Sequence, residues 1–345
     1  MKKSFLSILL TVFSAMSIAQ VVQENEAAVV YYMPKTDLII TINYEETQCT
    51  PGILYQYAER YLGSTEVITE STTIRKITDI QVESHTSADP QRAYKLTAQK
   101  GINTQLITLS EDGRLLGYNI PPAIAPKSIH TTKPLAPKTS MALPPLLEEQ
   151  LMAGSIAKMA ESTAKQIYHI REIRLNLLAG DVDNTPADGQ AMQLVLDELN
   201  RQEQMLVALF VGTSSTTHHS HTLTYAPNQS VENEVICRFS QHNGIVDAND
   251  LSGEPIYLTL EAKRQTLQTS LEGDKKAPLL SQLYYNLPGS ANVKIAFNHQ
   301  TCIQRSFKIA QYGVAIPFTQ DLFTAKTPTI IHINPATGNI LSIQQ

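Results

Sequence analysis

Residues 186–212 read PADGQAMQLVLDELNRQEQMLVALFVG, a stretch with the periodicity of one long helix. Its apolar side chains recur three or four positions apart over most of its length, which places them on one helix face. Thr185 precedes the stretch as a candidate N-cap, and Gly212 is a candidate C-terminal stop. We therefore predict a helix that begins after Thr185 and is closed by Gly212. The apolar positions are Met192, Val195, Leu196, Leu199, Leu206, Leu209 and Phe210.

A second helix is predicted directly before this one, over about 146–178, with Gly180 just past its end. Only residues 179–185 separate the two helices, and so short a connection favours an antiparallel hairpin. Two isolated helices bury little apolar surface. We therefore expect one face of the hairpin to lie on a β-rich part of the molecule.

Short β segments are predicted on both sides of the hairpin. Leu38, Ile40 and Ile42 alternate with polar or solvent-facing positions, the period of a half-buried strand. Between Pro121 and Pro145 lie seven prolines, which fix φ and remove amide donors, so this segment should run extended. The predicted fold class is α+β, with two β-rich domains and a long antiparallel helical hairpin between them. The predicted units are 1–19 (signal peptide), 20–120 (β-rich), 121–145 (linker), 146–212 (hairpin) and 213–345 (β-rich).

The first nineteen residues have the features of a secretory signal peptide. Lys2 and Lys3 supply the positive charge, Phe5–Met16 is an apolar core, and small residues precede a cleavage site after Ala19. The apolar core is shorter than the roughly 20 residues that span a bilayer. The first cysteine is Cys49, so no lipid anchor is encoded at the cleavage site. These features predict export without a membrane span or a lipid anchor.

Composition argues against several classes of protein. The chain has 345 residues, of which 42% are hydrophobic and 17% charged, and this lacks the bias of disordered tails, fibres and coiled coils. Lys+Arg number 27 and Asp+Glu 32, which gives a formal net charge of −5. A nucleic-acid partner is therefore not expected.

The three cysteines allow at most one internal disulfide in an exported chain. Cys237 and Cys302 both lie in strand-like segments of the C-terminal region and form the candidate pair. The alternative is that both are small buried hydrophobic residues.

Ser155 and Lys158 form an S-x-x-K motif, the arrangement in which penicillin-interacting enzymes activate a serine nucleophile. The sequence Tyr284-Tyr285-Asn286 could supply the second motif of such enzymes, but Pro328 replaces the glycine of the third. The alternative is that the small residues around Ser155 let this helix pack closely on its neighbour. Ser155 and Lys158 stay the weak catalytic candidates.

A cluster of His218, His219 and His221 is the candidate metal site, because neutral imidazoles bind Zn²⁺ or Cu²⁺. Adjacent strand residues point to opposite faces, so at most two of the three would converge. The neighbouring residues 213–217 are polar and loop-like, which favours a solvated loop. No metal and no other cofactor is predicted.

Several stretches of the sequence carry a resemblance to a known family. They are Tyr31-Tyr32-Met33-Pro34-Lys35-Thr36, Ala58-Glu59-Arg60-Tyr61-Leu62-Gly63, Asp112-Gly113-Arg114-Leu115-Leu116-Gly117-Tyr118-Asn119 and the hairpin blocks 170–174, 177–181 and 206–212. Through these stretches the sequence resembles an uncharacterised family of exported proteins from Bacteroides-type bacteria, the family of unknown function numbered 4831. The resemblance implies export to the periplasm and a shared architecture, and it implies no activity.

The sequence thus predicts a non-enzymatic binding or interaction protein of the cell envelope, with a ligand or envelope partner that the residues do not identify. The alternative is a periplasmic hydrolase or acyltransferase with its site in an interdomain cleft, where ligand sites often form.

Overall fold

The computed structural model describes residues 28–97, 103–121, 152–181, 188–266, 282–319, 321–324 and 328–345. The predicted signal peptide lies outside the described residues, as does the predicted linker beyond Pro121. The described part is rich in β-strands and also contains helices. The strands are β1 (Ala28–Thr50), β2 (Thr72–Thr97), β3 (Ile107–Leu109), β4 (Leu115–Tyr118), β5 (Thr213–Tyr225), β6 (Val231–Ser240), β7 (Gly244–Val246), β8 (Glu254–Lys263), β9 (Tyr284–Phe297), β10 (Gln300–Pro317), β11 (Ile330–Ile333) and β12 (Ile340–Gln344). The α-helices are α1 (Ala58–Leu62), α2 (Ile156–Ala179), α3 (Gly189–Val211) and α4 (Asp321–Thr324).

Two antiparallel sheets pack face to face around the main core. Sheet I has the order β2-β1-β5, and sheet II has the order β10-β9-β8-β6-β7. The predicted alternation in β1 is observed, since Leu38, Ile40 and Ile42 are fully buried toward sheet II. Sheet II supplies the opposite wall of this core, with buried residues that include Phe239, Ile256, Leu258, Val293, Ile295 and Ile309.

A smaller third sheet covers the other end of β1 and β2. Sheet III has the order β12-β11-β4-β3. Tyr31 and Met33 of β1 pack there against Leu115 of β4 and Ile331 of β11. The early and late halves of β1 therefore contribute to two different cores.

Sheets I and III each join strands from the two predicted β-rich regions. In sheet I, β1 pairs with β5 in one continuous register from Leu38↔Tyr225 to Thr50↔Thr213. In sheet III, β4 pairs with β11 through Tyr118↔Ile331. The order of β segments, helices and β segments holds along the sequence, but the hydrogen bonds of the sheets cross the predicted boundaries at 120 and 213.

The helices α2 and α3 run antiparallel. Arg171 of α2 donates a hydrogen bond to Glu203 of α3. Arg174, about one turn further along α2, donates to Asn200, which lies about one turn before Glu203 in α3. The prediction of a helix from 146 is wrong over 152–155, which are not helical. Ser155 is the N-cap of α2, and Gly180 ends it in a left-handed conformation, as predicted.

The start of the second helix also differs from the prediction. Its N-cap is Asp188, whose side chain accepts a hydrogen bond from the amide of Gln190. The predicted cap, Thr185, lies outside the described residues.

The hairpin packs on the corner of the chain that follows β1, which lies within the β-rich region predicted over 20–120, although the contact is not with the face of a sheet. Its base buries Ala164, Ile167 and Phe210 against Leu54 and Ala58, which follow the end of β1. The corner is also tied to α3 by hydrogen bonds from the amide of Leu54 to the carbonyl of Leu209 (2.8 Å) and from the amide of Ile68 to that of Val211 (2.9 Å). Gly52 makes this approach possible, because a Cβ there would overlap the α3 backbone.

A buried polar junction fixes the three sheets to one another. Arg92 of β2 and Gln311 of β10 each lie at a register shift of their strand. These irregularities turn the two side chains toward the interior. Asn286 of β9 is fully buried, donates to the carbonyls of Ala310 (3.0 Å) and Thr337 (2.7 Å), and accepts from Arg92 (2.9 Å). Buried polar groups are tolerated where they are paired, so these contacts fix the relative positions of the sheets.

Candidate functional site

A cleft of about 720 Å³ lies where the edge of sheet I meets one end of sheet II. Strand β2 forms one wall. The other wall is formed by the turn after β6, the segment before β8 and the β9–β10 hairpin. The lining residues on β2 are Arg75–Ile80, and those across the cleft include Phe239, His242, Leu251, Glu254, Asn298 and Cys302.

Arg75 holds the two walls of the cleft together. Its Nε lies 2.7 Å from Oε2 of Glu46 on the neighbouring strand β1. Its Nη1 donates to the carbonyl of His242 in the turn between β6 and β7. Both Arg75 and Glu46 side chains are largely buried, at 17% and 16% exposure. The pair therefore acts as a fixed strut, and the shape of the cleft is set before any ligand arrives.

A row of aromatic rings runs from the cleft to β5. Phe297 and Phe239 meet edge to face at 5.9 Å between ring centroids, and Tyr44 meets Phe239 in the same way at 5.6 Å. The imidazole of His219 stacks on Tyr44 at 5.1 Å. These geometries are favourable for aromatic pairs, and two of the rings, those of Phe239 and Phe297, line the cleft.

The histidine cluster lies on strand β5, so the expectation of a loop over 213–217 is wrong. The strand pairing explains why the loop-like sequence is extended: each of these residues opposes a residue of β1. His219 and His221 oppose Tyr44 and Ile42 and share one face, while His218 points to the other face, 3.6 Å from Glu45.

The described residues contain no group of three or more His, Cys, Asp or Glu side chains that could hold a metal ion. His219 lies near one carboxylate, with its Nε2 3.8 Å from Oε2 of Glu46. That carboxylate is already engaged by Arg75. The arrangement therefore does not gather His218, His219 and His221 around a common point.

Ser155 serves as a helix cap in the structure. Its Oγ accepts a hydrogen bond from the amide of Lys158 at 3.3 Å, and both residues are exposed on the surface. Asn286, from the second motif of the hypothetical enzyme, is buried in the polar junction. The third motif includes residues that lie outside the described part of the chain. Among the described residues, these candidates are not assembled into one site.

The candidate disulfide is not formed, and all three cysteines are free thiols. Cys237 on β6 and Cys302 on β10 belong to the same sheet, but β8 and β9 lie between their strands. Three strand spacings of about 4.8 Å separate them, well beyond the Cα separation of roughly 7 Å that a disulfide tolerates. Burial raises the pKa of the Cys237 thiol to about 11, which keeps it protonated.

Sequence reasoning missed the residues that shape the cleft. Arg75 and His242 are 167 positions apart, and neither belongs to a recognisable motif. The available signal was weak: Arg75 and Glu46 are charged residues in segments with strand periodicity, and such residues are ordinarily solvated.

A model of one protein family matches residues 27–341, nearly the whole described chain. The chain belongs to the DUF4831 family. DUF4831 is described as a domain of unknown function. Membership therefore shows which family the chain belongs to, but it assigns no biochemical activity. No curated protein and no solved structure matches the chain. Among the described residues of this DUF4831 member, no helix is both long and apolar enough to cross a membrane.

Proposed function

We propose that this protein is exported to the periplasm and binds a ligand non-covalently in the cleft between β2 and sheet II. The observation that carries the binding role is the Arg75 strut, which joins two sheets and holds an open, lined cleft. A volume near 720 Å³ is in the usual range of ligand sites. The leader over residues 1–19 supports export.

The lining favours a short extended peptide as the ligand. Asn298, Gln300 and Ser252 offer hydrogen-bonding amides and a hydroxyl, while Phe239 and Phe297 offer apolar surface. A peptide presents both kinds of group along one chain. The charged lining residues are two cations, Arg75 and Lys76, and two anions, Asp79 and Glu254, so their formal charges cancel. A ligand without strong net charge therefore fits best.

The alternative is a hydrolase or acyltransferase that acts in the same cleft. Cys302 is exposed and lines the cleft, so a nucleophile is present there. A nucleophilic mechanism also needs a base within hydrogen-bond reach. Among the described residues, the hydrogen bond recorded for the Cys302 thiol runs to the backbone carbonyl of Gln300, at 3.8 Å, and not to a base. Binding is therefore the better-supported function.

Export is tested by the N-terminus of the protein recovered from its host. We expect periplasmic extracts to contain a chain that starts at Gln20, because Ala19 ends the cleavage site. A matched variant, Ala19→Arg, should accumulate with its leader attached. A chain found in the cytosol with Met1 intact would refute export.

Binding is tested by photo-crosslinking with end-blocked tetrapeptides that carry a benzophenone group. We expect adducts at the residues that line the cleft and at least a tenfold loss in Leu251→Arg, which adds bulk and charge at the rim. Leu341→Arg on β12 is the control, since both leucines are exposed, at 82% and 63%. An adduct yield that is the same in Leu251→Arg as in the unmodified protein would contradict the proposal. Peptide fragments whose release depends on Leu251 would favour the hydrolase.

A further inference from the structure

Strand β5 forms a free edge of sheet I. On one side it pairs with β1 over thirteen consecutive residues, and this register contains no bulge. On its other side, no strand of the described chain pairs with it. At about 3.4 Å per residue, the edge is about 44 Å long. Its outward amides and carbonyls form a row of hydrogen-bonding groups that no strand of the described residues uses.

The other edges of the three sheets carry the features that normally prevent strand addition. These features are short strands, charged residues, prolines and bulges. Strands β3 and β7 have three residues each and β12 has five. Strand β10 contains Arg305, Lys308 and two register shifts, and β2 contains Pro90, several charged residues and two register shifts.

Strand β5 has none of these features. Its sequence, TSSTTHHSHTLTY, contains no proline, aspartate, glutamate, lysine or arginine. Its residues are mostly Ser, Thr and other β-compatible types. A long edge with an unbroken register and none of these charged residues is open to pairing with another strand.

The identity of the added strand follows from the surroundings of β5. Residues 213–218 are exposed on both faces of the sheet. Val207 and Val211 of α3 line a pocket beside the first three of them, Thr213–Ser215. A second β5 strand matches the full length of the edge and brings no charge of like sign.

Threonine pairs already stabilise the inner side of β5. Thr222 lies 3.4 Å from Thr41 and Thr216 lies 3.2 Å from Thr47, oxygen to oxygen. In an antiparallel pair of β5 strands in full overlap, Thr216 faces Thr222 of the second copy. Cross-strand hydroxyl pairs of this kind contribute to sheet stability.

We propose that β5 pairs antiparallel with β5 of a second copy of this chain, so that two copies share one six-stranded sheet of order β2-β1-β5-β5-β1-β2. The pairing is isologous, since the same strand is used on both sides of a two-fold axis. The cleft at β2 lies on the opposite edge of sheet I, so this inference does not depend on the proposed ligand.

The first test is sedimentation equilibrium of the purified protein over a range of concentrations. We expect a dimer whose dissociation constant rises at least 100-fold in the double variant Ser215→Lys/Thr217→Lys, which places lysines on the edge. The control is Thr72→Lys/Ser84→Lys, with exposed positions on β2. A monomer at every concentration, or equal weakening by both double variants, would refute the proposal.

The second test uses the unmodified protein, so its result does not depend on whether a variant folds. Hydrogen–deuterium exchange of the unmodified protein is measured at concentrations below and above dimerisation. We expect the amides of residues 213–225 to gain protection at the higher concentration. If a dimer forms while exchange over this strand stays unchanged, the dimer uses another surface and the proposal is overturned.

Discussion

Asn286 shows how a single side chain can hold separate parts of this molecule together. Its amide nitrogen satisfies carbonyls on β10 and on the β11–β12 turn, and its oxygen accepts from Arg92 on β2. The side chain has no solvent exposure. Water therefore cannot replace any of these bonds if the amide is lost.

We predict that Asn286→Leu lowers the free energy of unfolding by about 3 kcal/mol, because it removes three hydrogen bonds and takes from the Thr337 carbonyl its bond to Asn286. Arg92 Nη1 still donates to the carbonyl of Ala310. Urea denaturation followed by circular dichroism measures the change. Asn292→Leu is the control on the same strand, where the side chain is partly exposed, and it should cost less than about 1 kcal/mol. Equal losses in the two variants would show that the junction contributes little.

At the scale of the element, substitutions of Ser155 distinguish a role as helix cap from a role as catalytic nucleophile. We predict that Ser155→Ala destabilises the protein by about 1 kcal/mol, whereas Ser155→Asp retains the cap and the stability. Thermal unfolding measures both variants. The matched control is Ser162→Ala, because Ser162-Thr163-Ala164-Lys165 repeats the S-x-x-K spacing within α2.

Labelling with a fluorescent β-lactam tests whether Ser155 acts as a nucleophile instead of a helix cap. We expect no covalent labelling of the unmodified protein. Labelling that vanishes in Ser155→Ala and persists in Ser162→Ala would restore the acyl-enzyme hypothesis.

Glu203 is the ionic centre of the helical hairpin. Its carboxylate bonds Arg171 (2.6 Å) and Arg174 (2.5 Å) and is only 13% exposed. Burial by itself would raise the pKa of Glu203, but the bonds from the two arginines outweigh it and hold the pKa below its ordinary value. A lowered pKa in the folded state means that the carboxylate stabilises the fold above its ordinary pKa and loses that effect on acidification.

We predict that Glu203→Gln lowers the free energy of unfolding by about 1–3 kcal/mol at neutral pH. The difference from the unmodified protein should shrink as the pH falls below about 4.5, the ordinary pKa of a glutamate. Denaturation at several pH values measures this. Glu172→Gln, a 70% exposed position on α2, should change little. A difference that is independent of pH would contradict the assignment.

At the scale of the whole molecule, strands shared between the two β-rich regions should make folding cooperative. Sheet I needs β5 beside β1, and sheet III needs β11 beside β4. We predict one unfolding transition, with coincident midpoints in far-ultraviolet circular dichroism and in the near-ultraviolet signal of the tyrosines. A fragment of residues 28–121 should stay unfolded by itself. A folded fragment, or two separate transitions, would instead support two independent domains.

Much of the secondary structure could be predicted from local patterns. The alternation around Ile40 predicts a strand, and the helical period around Leu206 predicts α3, because burial on one face leaves a regular spacing in the sequence. Gly180 marks a helix end for a similar local reason. The start of α2 at Ile156 was less predictable, since helix-forming residues continue on both sides of the cap.

The candidate site could not be predicted in the same way. The cleft depends on Arg75 meeting Glu46 on β1 and the carbonyl of His242 beyond β6. Nothing in the spacing of these residues encodes that meeting. The motifs that the sequence does offer, around Ser155 and His219, have other positions in the fold: one caps a helix and the other stacks on Tyr44.

The sequence by itself determined which segments are strands or helices for most of the described chain, together with several of their ends. These properties follow from the period of apolar residues and from the conformational preferences of a few glycines and caps. The tertiary structure alone decided that β5 joins β1, that β11 joins β4, and that a cleft opens beside β2. Strand partners and clefts arise from contacts between residues far apart in the chain, and such contacts leave no local period to detect.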